Sequence, residues 1–212
     1  MLSLLLEFEG EERTMKCAQC SKDAVYKCSI CQKLLCPEHV RFQPVCALCV
    51  QKTTVKYAVK KASSQDRGEI KRLVQLFWGE QEQLTFDTTF NVSELPAYIA
   101  KKEDKVVGFV SFTELHDDLI VAALGIIPEY QGMGIGRRLV ASVEKEAKRL
   151  KKKRILVSTS NDDLPALAFY QRFGFQIYEV KPNAIAEKHG KVLKGIGNLP
   201  IRDELRLQKT IR

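Results

Sequence analysis

No stretch of this chain approaches the roughly 18 uninterrupted apolar residues that a helix needs to cross a bilayer, so no membrane span is expected. The opening Met1-Leu2-Ser3-Leu4-Leu5-Leu6 is equally short of what a secretory leader requires. It has no basic n-region, no full apolar h-region and no small-residue cleavage site, and Glu7, Glu9, Glu11 and Glu12 follow at once. Residues 1–14 are therefore expected to be a disordered extension, with Met15 as an alternative start, and the expected compartment is the cytoplasm. Cysteine is absent after position 49. Without an export signal, the thiols before it are expected to be reduced and metal-binding, not paired in disulfides. A large charge excess is missing too. The formal net charge of +8 falls to about +5 if seven thiolates hold two Zn²⁺. That suits an anionic cofactor and does not by itself argue for nucleic acid. What is present is 212 residues, 45% of them apolar, which allows one ordinary domain and a small one.

All seven cysteines fall in the order Cys17-x2-Cys20-x7-Cys28-x2-Cys31-x4-Cys36-x2-His39-x6-Cys46-x2-Cys49. With His39 they make eight ligands in four x2 pairs, enough to fill two tetrahedral zinc sites. Pairing Cys17/Cys20 with Cys28/Cys31 would close a loop of only seven residues. An interleaved scheme joins Cys17/Cys20 to Cys36/His39 over fifteen residues and Cys28/Cys31 to Cys46/Cys49 over fourteen. Those lengths are near the usual range for paired knuckles, and the interleaved cross-brace is preferred. The segment, including Leu34-Leu35 before Cys36, resembles B-box-type and related cross-brace zinc fingers. A unit this small builds little core, so its metals are expected to supply its folding energy. Partner docking, nucleic-acid contact and simple stabilisation are all open to it. Arg41 and Phe42 are a candidate contact pair within it, with a solvated loop as the plainer reading.

Residues 51–54 read as a polar linker between the zinc module at 15–50 and a domain at 55–212. Val55, Tyr57 and Val59 alternate as in a half-buried strand. Ser63 or Ser64 can cap a helix carrying Ile70, Leu73, Val74 and Phe77, which Gly79 ends. A mobile loop with a short helix is expected over 80–96. Strands follow at 98–100, 106–112 and 119–127, the last an apolar run suited to burial on both faces. Ile135, Leu139, Val143 and Ala147 stripe a helix over about 133–152. A strand at 155–157, a helix at 164–172 and strands at 175–180 and 204–208 complete the order. The expected fold class is α/β, a central mixed sheet flanked by helices.

Between the buried strand and the long helix lies Ile126-Ile127-Pro128-Glu129-Tyr130-Gln131-Gly132-Met133-Gly134-Ile135-Gly136-Arg137. The main-chain N–H groups at a helix start have no partner within the helix, and the dipole favours negative charge there. Glycines remove the side chains that would keep phosphate oxygens away, which makes this segment an anion cradle. Its spacing differs from the dinucleotide G-x-G-x-x-G, and it lacks the Lys-Ser/Thr of a P-loop.

Gln131-Gly132-Met133-Gly134-Ile135-Gly136 matches the Gln/Arg-x-x-Gly-x-Gly/Ala motif of the GCN5-related N-acetyltransferase (GNAT) family, which the chain resembles over roughly 55–212. Residues 161–175, from Asn161 through Tyr170 to Phe175, look like that family's second motif, and Pro200-Ile201-Arg202-Asp203-Glu204 resembles the ending of one prokaryotic subgroup. The resemblance implies acetyl-coenzyme A as cosubstrate. The main chain of Ile126 and Ile127 would pair with the pantetheine arm. Gln131, Gly132, Met133, Gly134, Ile135, Gly136 and Arg137 would hold the pyrophosphate, and Tyr170 would be the general acid beside the thioester sulfur. The sequence departs from the family where Asp163 replaces the usual Asn; Asn161 or Asp163 itself is left to make that contact.

The implied reaction is direct acetyl transfer to an amine of a protein or small molecule. A lysine-like amine must lose a proton before attack, and a departing thiolate of pKa about 8.5 benefits from a donor such as Tyr. Glu80, Glu82, Glu114, Asp118 or a water chain could serve as base. His116 reads as a turn residue and His189 as part of a surface helix. Lys148 to Arg154 reads as a solvated helix end, with nucleic-acid binding as the rival. A non-catalytic acetyl-coenzyme A sensor, or an interaction protein acting through its zinc finger, is the alternative function.

Overall fold

The computed structural model describes residues 16–24, 26, 27, 31–36, 38, 39 and 56–211, and the chain divides into two compact units, Met1–Thr54 and Val55–Arg212. The expected extension at 1–14, the linker at 51–54 and the Arg41–Phe42 pair lie outside the described residues. In the first unit, β1 (Tyr26–Lys27) and β2 (Leu34–Leu35) pair antiparallel, and Leu35 and Cys36 are fully buried. The Ala18 N–H donates to the Leu34 carbonyl (2.9 Å), which ties the Cys17–Cys20 turn to β2.

The second unit is built on a seven-stranded sheet. Its strands are β3 (Ala58–Lys61), β6 (Ala97–Lys102), β7 (Lys105–Leu115), β8 (Asp118–Ile126), β9 (Arg154–Ser160), β10 (Gln176–Lys181) and β13 (Glu204–Thr210), in the order β10-β13-β9-β8-β7-β6-β3. Only β8 and β9 run parallel; the other neighbours are antiparallel. This is the mixed α/β sheet expected from the pattern.

Helices cover both faces. On one, α1 (Arg67–Trp78) sets Ile70, Leu73 and Val74 against Ile99, Val106 and Phe109. Ser63 precedes it, donating from its N–H and hydroxyl to Asp66 (2.9 and 2.7 Å), and Gly79 ends it in a left-handed turn. On the other face, α2 (Ile135–Arg149) buries the stripe Ile135, Leu139, Val143 and Ala147 against Val107, Val110, Leu119 and Val121. The shorter α3 (Leu164–Arg172) joins this layer through Tyr170. A last helix, α4 (Ala184–His189), and the hairpin of β11 (Leu193–Lys194) with β12 (Pro200–Ile201) connect β10 to β13.

The loop and short helix expected over 80–96 are instead a hairpin, β4 (Glu82–Thr85) with β5 (Thr88–Asn91). Its two turn residues, Phe86 and Asp87, both have positive φ (51° and 58°), the geometry that usually calls for Asn-Gly. Distant residues hold it there. Glu204 accepts from the Phe86 N–H (3.1 Å), and Arg206 pairs with Asp87 (3.0 Å) and lies over the Phe86 ring.

One buried carboxylate links the two layers. Glu146 on α2 accepts from the Tyr98 hydroxyl (3.2 Å) and from Arg149 (2.8 and 3.1 Å), with Lys61 nearby at 3.6 Å. Arg149 chiefly, against the opposing effect of burial and with help from Lys61 and Tyr98, holds its pKa down to about 2. A carboxyl depressed in the folded state contributes stability above its unfolded value of about 4.3 and loses it as pH falls. Unfolding free energy should therefore drop as pH is lowered from about 4.3 towards 2, and Glu146→Gln should flatten that slope in urea titrations.

Candidate active site and a cysteine–histidine cluster

Strands β8 and β9 stay paired only from Asp118↔Arg154 to Val121↔Val157, and then part. The cause lies on the other side of β8. Its register with β7 slips between Ser111 and Phe112, which leaves Ala122 as an extra residue on β8. A bulge bends and twists the strand that carries it, so β8 turns away from β9 one residue after their last pair. Beyond that point β8 follows β7 to Ile126, while β9 follows β13 to Ser160↔Glu204.

The resulting opening holds a cavity of about 390 Å³. Ala122 to Leu124 and Ser158 to Ser160 form its two strand walls, α3 contributes Ala166 and Tyr170, with Asp163 at its cap, and the end of α1 contributes Phe77 and Trp78. Hairpin residues Gln83 to Thr85, together with Lys188 and Glu204, close it further.

Main-chain groups face this opening selectively. The Ile127 N–H donates to the Val107 carbonyl (2.9 Å), so it is spent inside the sheet. Successive residues of an antiparallel strand turn these groups to opposite edges, and Ile126 and Leu124 turn theirs towards the gap. Of the expected pair, Ile126 faces the gap, with Leu124, and Ile127 is bonded within the sheet. The Gln131 amide donates to the Ile126 carbonyl (3.0 Å) and braces the end of the strand.

The glycine-rich segment begins the helix at the mouth of this gap. Gly132 and Gly134 have φ of +77° and +79°, a region L side chains rarely adopt, and Gly134 is the N-cap of α2. A Cβ on Gly136 would lie 3.0 Å from Ile126 Cδ1 and 3.4 Å from the Phe169 ring, so the helix start is seated close against β8 and α3. Ile135 points into the core and Met133 is half-buried. The first turn has no acidic residue and carries Arg137 and Arg138, the latter 5.0 Å over the Tyr57 ring. Cations at a helix N-terminus oppose the dipole, and a bound anion would offset both.

Tyr170 is buried, and its hydroxyl has no hydrogen-bond partner among the described residues. Burial first, and the charge of Asp163 second, push its pKa well above the ordinary tyrosine value of about 10. Asp163 caps α3 by accepting from the Ala166 N–H (3.0 Å); burial raises its pKa against that bond, and the charge of Asp162 raises it further. Asn161 is used elsewhere. Its amide donates to the Pro200 carbonyl (2.8 Å) and accepts from the Arg202 and Asp203 N–H groups (2.8 and 2.9 Å). A side chain so engaged is a clip for the 200–203 loop.

Of the four carboxylates considered as base, Glu80 alone lines the cavity, paired with Lys188 at 2.6 Å. Glu82 is exposed on β4. Glu114 and Asp118 pair with Lys152 (2.7 Å) and Arg154 (2.6 Å) at the opposite end of β8. Those pairs, with Lys153–Asp117 and Arg149–Glu146, neutralise much of the 148–154 basic run. Sequence reasoning missed Glu204, Thr85, Ser158 and Lys188. Only Glu204 had a signal, the Pro200–Glu204 ending.

In the first unit, the ligand atoms of Cys17, Cys20, Cys36 and His39 lie within 4.8 Å of one another. His39 Nδ1 is 3.5 Å from Cys17 Sγ and 3.3 Å from Cys36 Sγ, and Cys20 Sγ is 3.7 Å from Cys36 Sγ. Desolvation opposes ionisation of Cys17, but main-chain hydrogen bonds around it bring the thiol down to about 6. The other expected set includes Cys28, Cys46 and Cys49, which lie outside the described residues; Cys31 is exposed.

The second unit is thus a mixed sheet opened between its parallel strands, with a glycine-rich helix start at the mouth of the opening and a cavity within it. Residues 67–175 match the Acetyltransferase (GNAT) family, and the chain belongs to that family. It is 33% identical over 140 residues to the uncharacterized protein YdhI of Bacillus subtilis, covering 63% of this chain and 86% of that one. The IAA acetyltransferase from Bacillus cereus shares the fold at a TM-score of 0.62 and 20% identity, over 73% of this chain and 99% of its own. A Bacillus subtilis acetyltransferase in complex with CoA matches at 0.62 and 20% identity, over 74% and 100%. Among the described residues no helix is long and apolar enough to cross a membrane.

Removing the Asn161 clip should be costly. Asn161→Ala is expected to lower unfolding free energy by about 1–3 kcal/mol, measured by urea denaturation.

Proposed function

We propose that the chain is an N-acetyltransferase that moves an acetyl group from acetyl-CoA directly to an amine, with a two-zinc module that docks a substrate or partner. The observation that carries the reading is the parting of β8 and β9 over a cavity that Tyr170 lines, with the glycine-rich start of α2 seated against Ile126 at the end of β8. These residues fit the cosubstrate. Free N–H groups at the start of α2, beside Arg137, suit the pyrophosphate, and the main chain of Leu124 and Ile126 suits the pantetheine amides. Bound acetyl-CoA supplies the acetyl group as an activated thioester.

Tyr170 and Glu80 divide the proton work. Because its pKa is raised, Tyr170 remains a donor at every physiological pH. Full transfer to a thiolate of pKa about 8.5 would be uphill, so its contribution is a hydrogen bond that stabilises charge as it develops on sulfur. Glu80 receives the proton that the acceptor must shed before attack.

The Cys17, Cys20, Cys36 and His39 set fits zinc. Ligands at tetrahedral Zn–S distances of about 2.3 Å stand roughly 3.7 Å apart, close to the separations between these atoms. Cys28, Cys31, Cys46 and Cys49 form the second set in this reading.

Tyr170→Phe should cut kcat by about 10²-fold or more while leaving the acetyl-CoA dissociation constant unchanged. Unchanged turnover would sink the assigned role, and coenzyme binding with no turnover for any amine would favour a sensor. Elemental analysis of the purified protein should find two Zn²⁺ per chain and about one in Cys36→Ala. A metal-free wild type, still folded, would rule the module out.

A further inference from the structure

The cavity under Tyr170 already contains an amine. Lys188, near the end of α4, lines it together with Tyr170, Asp163 and Glu80, and its Nζ lies 2.6 Å from the Glu80 carboxylate. Its side chain is 24% exposed and that of Glu80 43%, so the pair lines the cavity while remaining partly open to solvent. Among the described residues it is the one lysine in the lining. Stability is a weak explanation for the pair, since partly exposed ion pairs contribute little.

We propose that Lys188 is a modification site, acetylated in cis by the chain that carries it; this rests on the acetyltransferase reading above. Nucleophile and proton acceptor stand within hydrogen-bond reach before any acceptor arrives. Filling the cavity with the cosubstrate's arm excludes water from the pair. In the step, the bond between Lys188 Nζ and the acyl carbon forms, and the bond from that carbon to sulfur breaks. Nζ enters as an ammonium and leaves as an amide, so it sheds two protons. Both leave through Glu80 to water, and the coenzyme departs as a thiolate held by the Tyr170 hydrogen bond and takes its proton from water. Acetyl-Lys188 carries no charge, so Glu80 loses its partner and the cavity becomes more favourable to an external cation.

The test is to incubate the full chain with acetyl-CoA and no added amine, and to map acetyl groups by peptide mass spectrometry. Lys188 should be modified at least about tenfold faster than the exposed Lys105 and Lys145, with a half-time independent of protein concentration. Glu80→Gln, a change at a partly exposed side chain, and Tyr170→Phe should each bring Lys188 down towards the rate of those two lysines. Labelling no faster than Lys105, a half-time that shortens with concentration, or indifference to both substitutions would each overturn the proposal. Thiol release with external amines while Lys188 stays unmodified overturns this inference alone. Absence of both thiol release and acetyl-CoA binding brings down the acetyltransferase reading with it.

Discussion

The one extra residue on β8, Ala122, is the constraint on which the site depends. It bends a strand that β7 holds on one side, and so ends the pairing with β9 at Val121↔Val157. Without that bend the parallel pair would run on, and the space now lined by Ala122 to Leu124 and Ser158 to Ser160 would be filled by main-chain hydrogen bonds. The candidate residues of the second unit are grouped around this divergence: Tyr170 and Asp163 under it, the glycine-rich turn at its mouth, and the β4–β5 hairpin across it.

The hairpin shows how a locally unfavourable turn is held by the rest of the fold. Phe86 and Asp87 are poor residues for two consecutive positive φ values, and strain of this kind persists only where surroundings over-determine it. Glu204 and Arg206 provide that restraint from the last strand, with the Thr85 hydroxyl 2.6 Å from that of Ser158 as a further tie to β9. The cavity wall is thus assembled from segments more than a hundred residues apart.

That distance explains what the sequence could and could not reveal. The helices carry their own evidence in stripes such as Ile135, Leu139, Val143 and Ala147, and the central strand is a continuous apolar run. The anion cradle is equally local, because its glycines are contiguous. The 80–96 segment was misread because the Phe86–Asp87 turn depends on partners far along the chain. The bonds of Asn161 were hidden for a similar reason, since nothing near it announces the loop at 200–203 that engages its amide. Among the proposed bases, sequence offered four equivalent carboxylates, and three-dimensional pairing left Glu80 in the cavity.

The brevity of the β8–β9 pairing has a mechanical side. The second unit is in effect two half-sheets, β3-β6-β7-β8 and β9-β13-β10, stitched along a seam of four residue pairs. A ligand that hydrogen-bonds to Leu124 and Ile126 while packing on Ser158 to Ser160 lengthens that seam, acting as a borrowed strand between the halves. In the proposed complex the ligand would continue the pairing that the bulge at Ala122 ends.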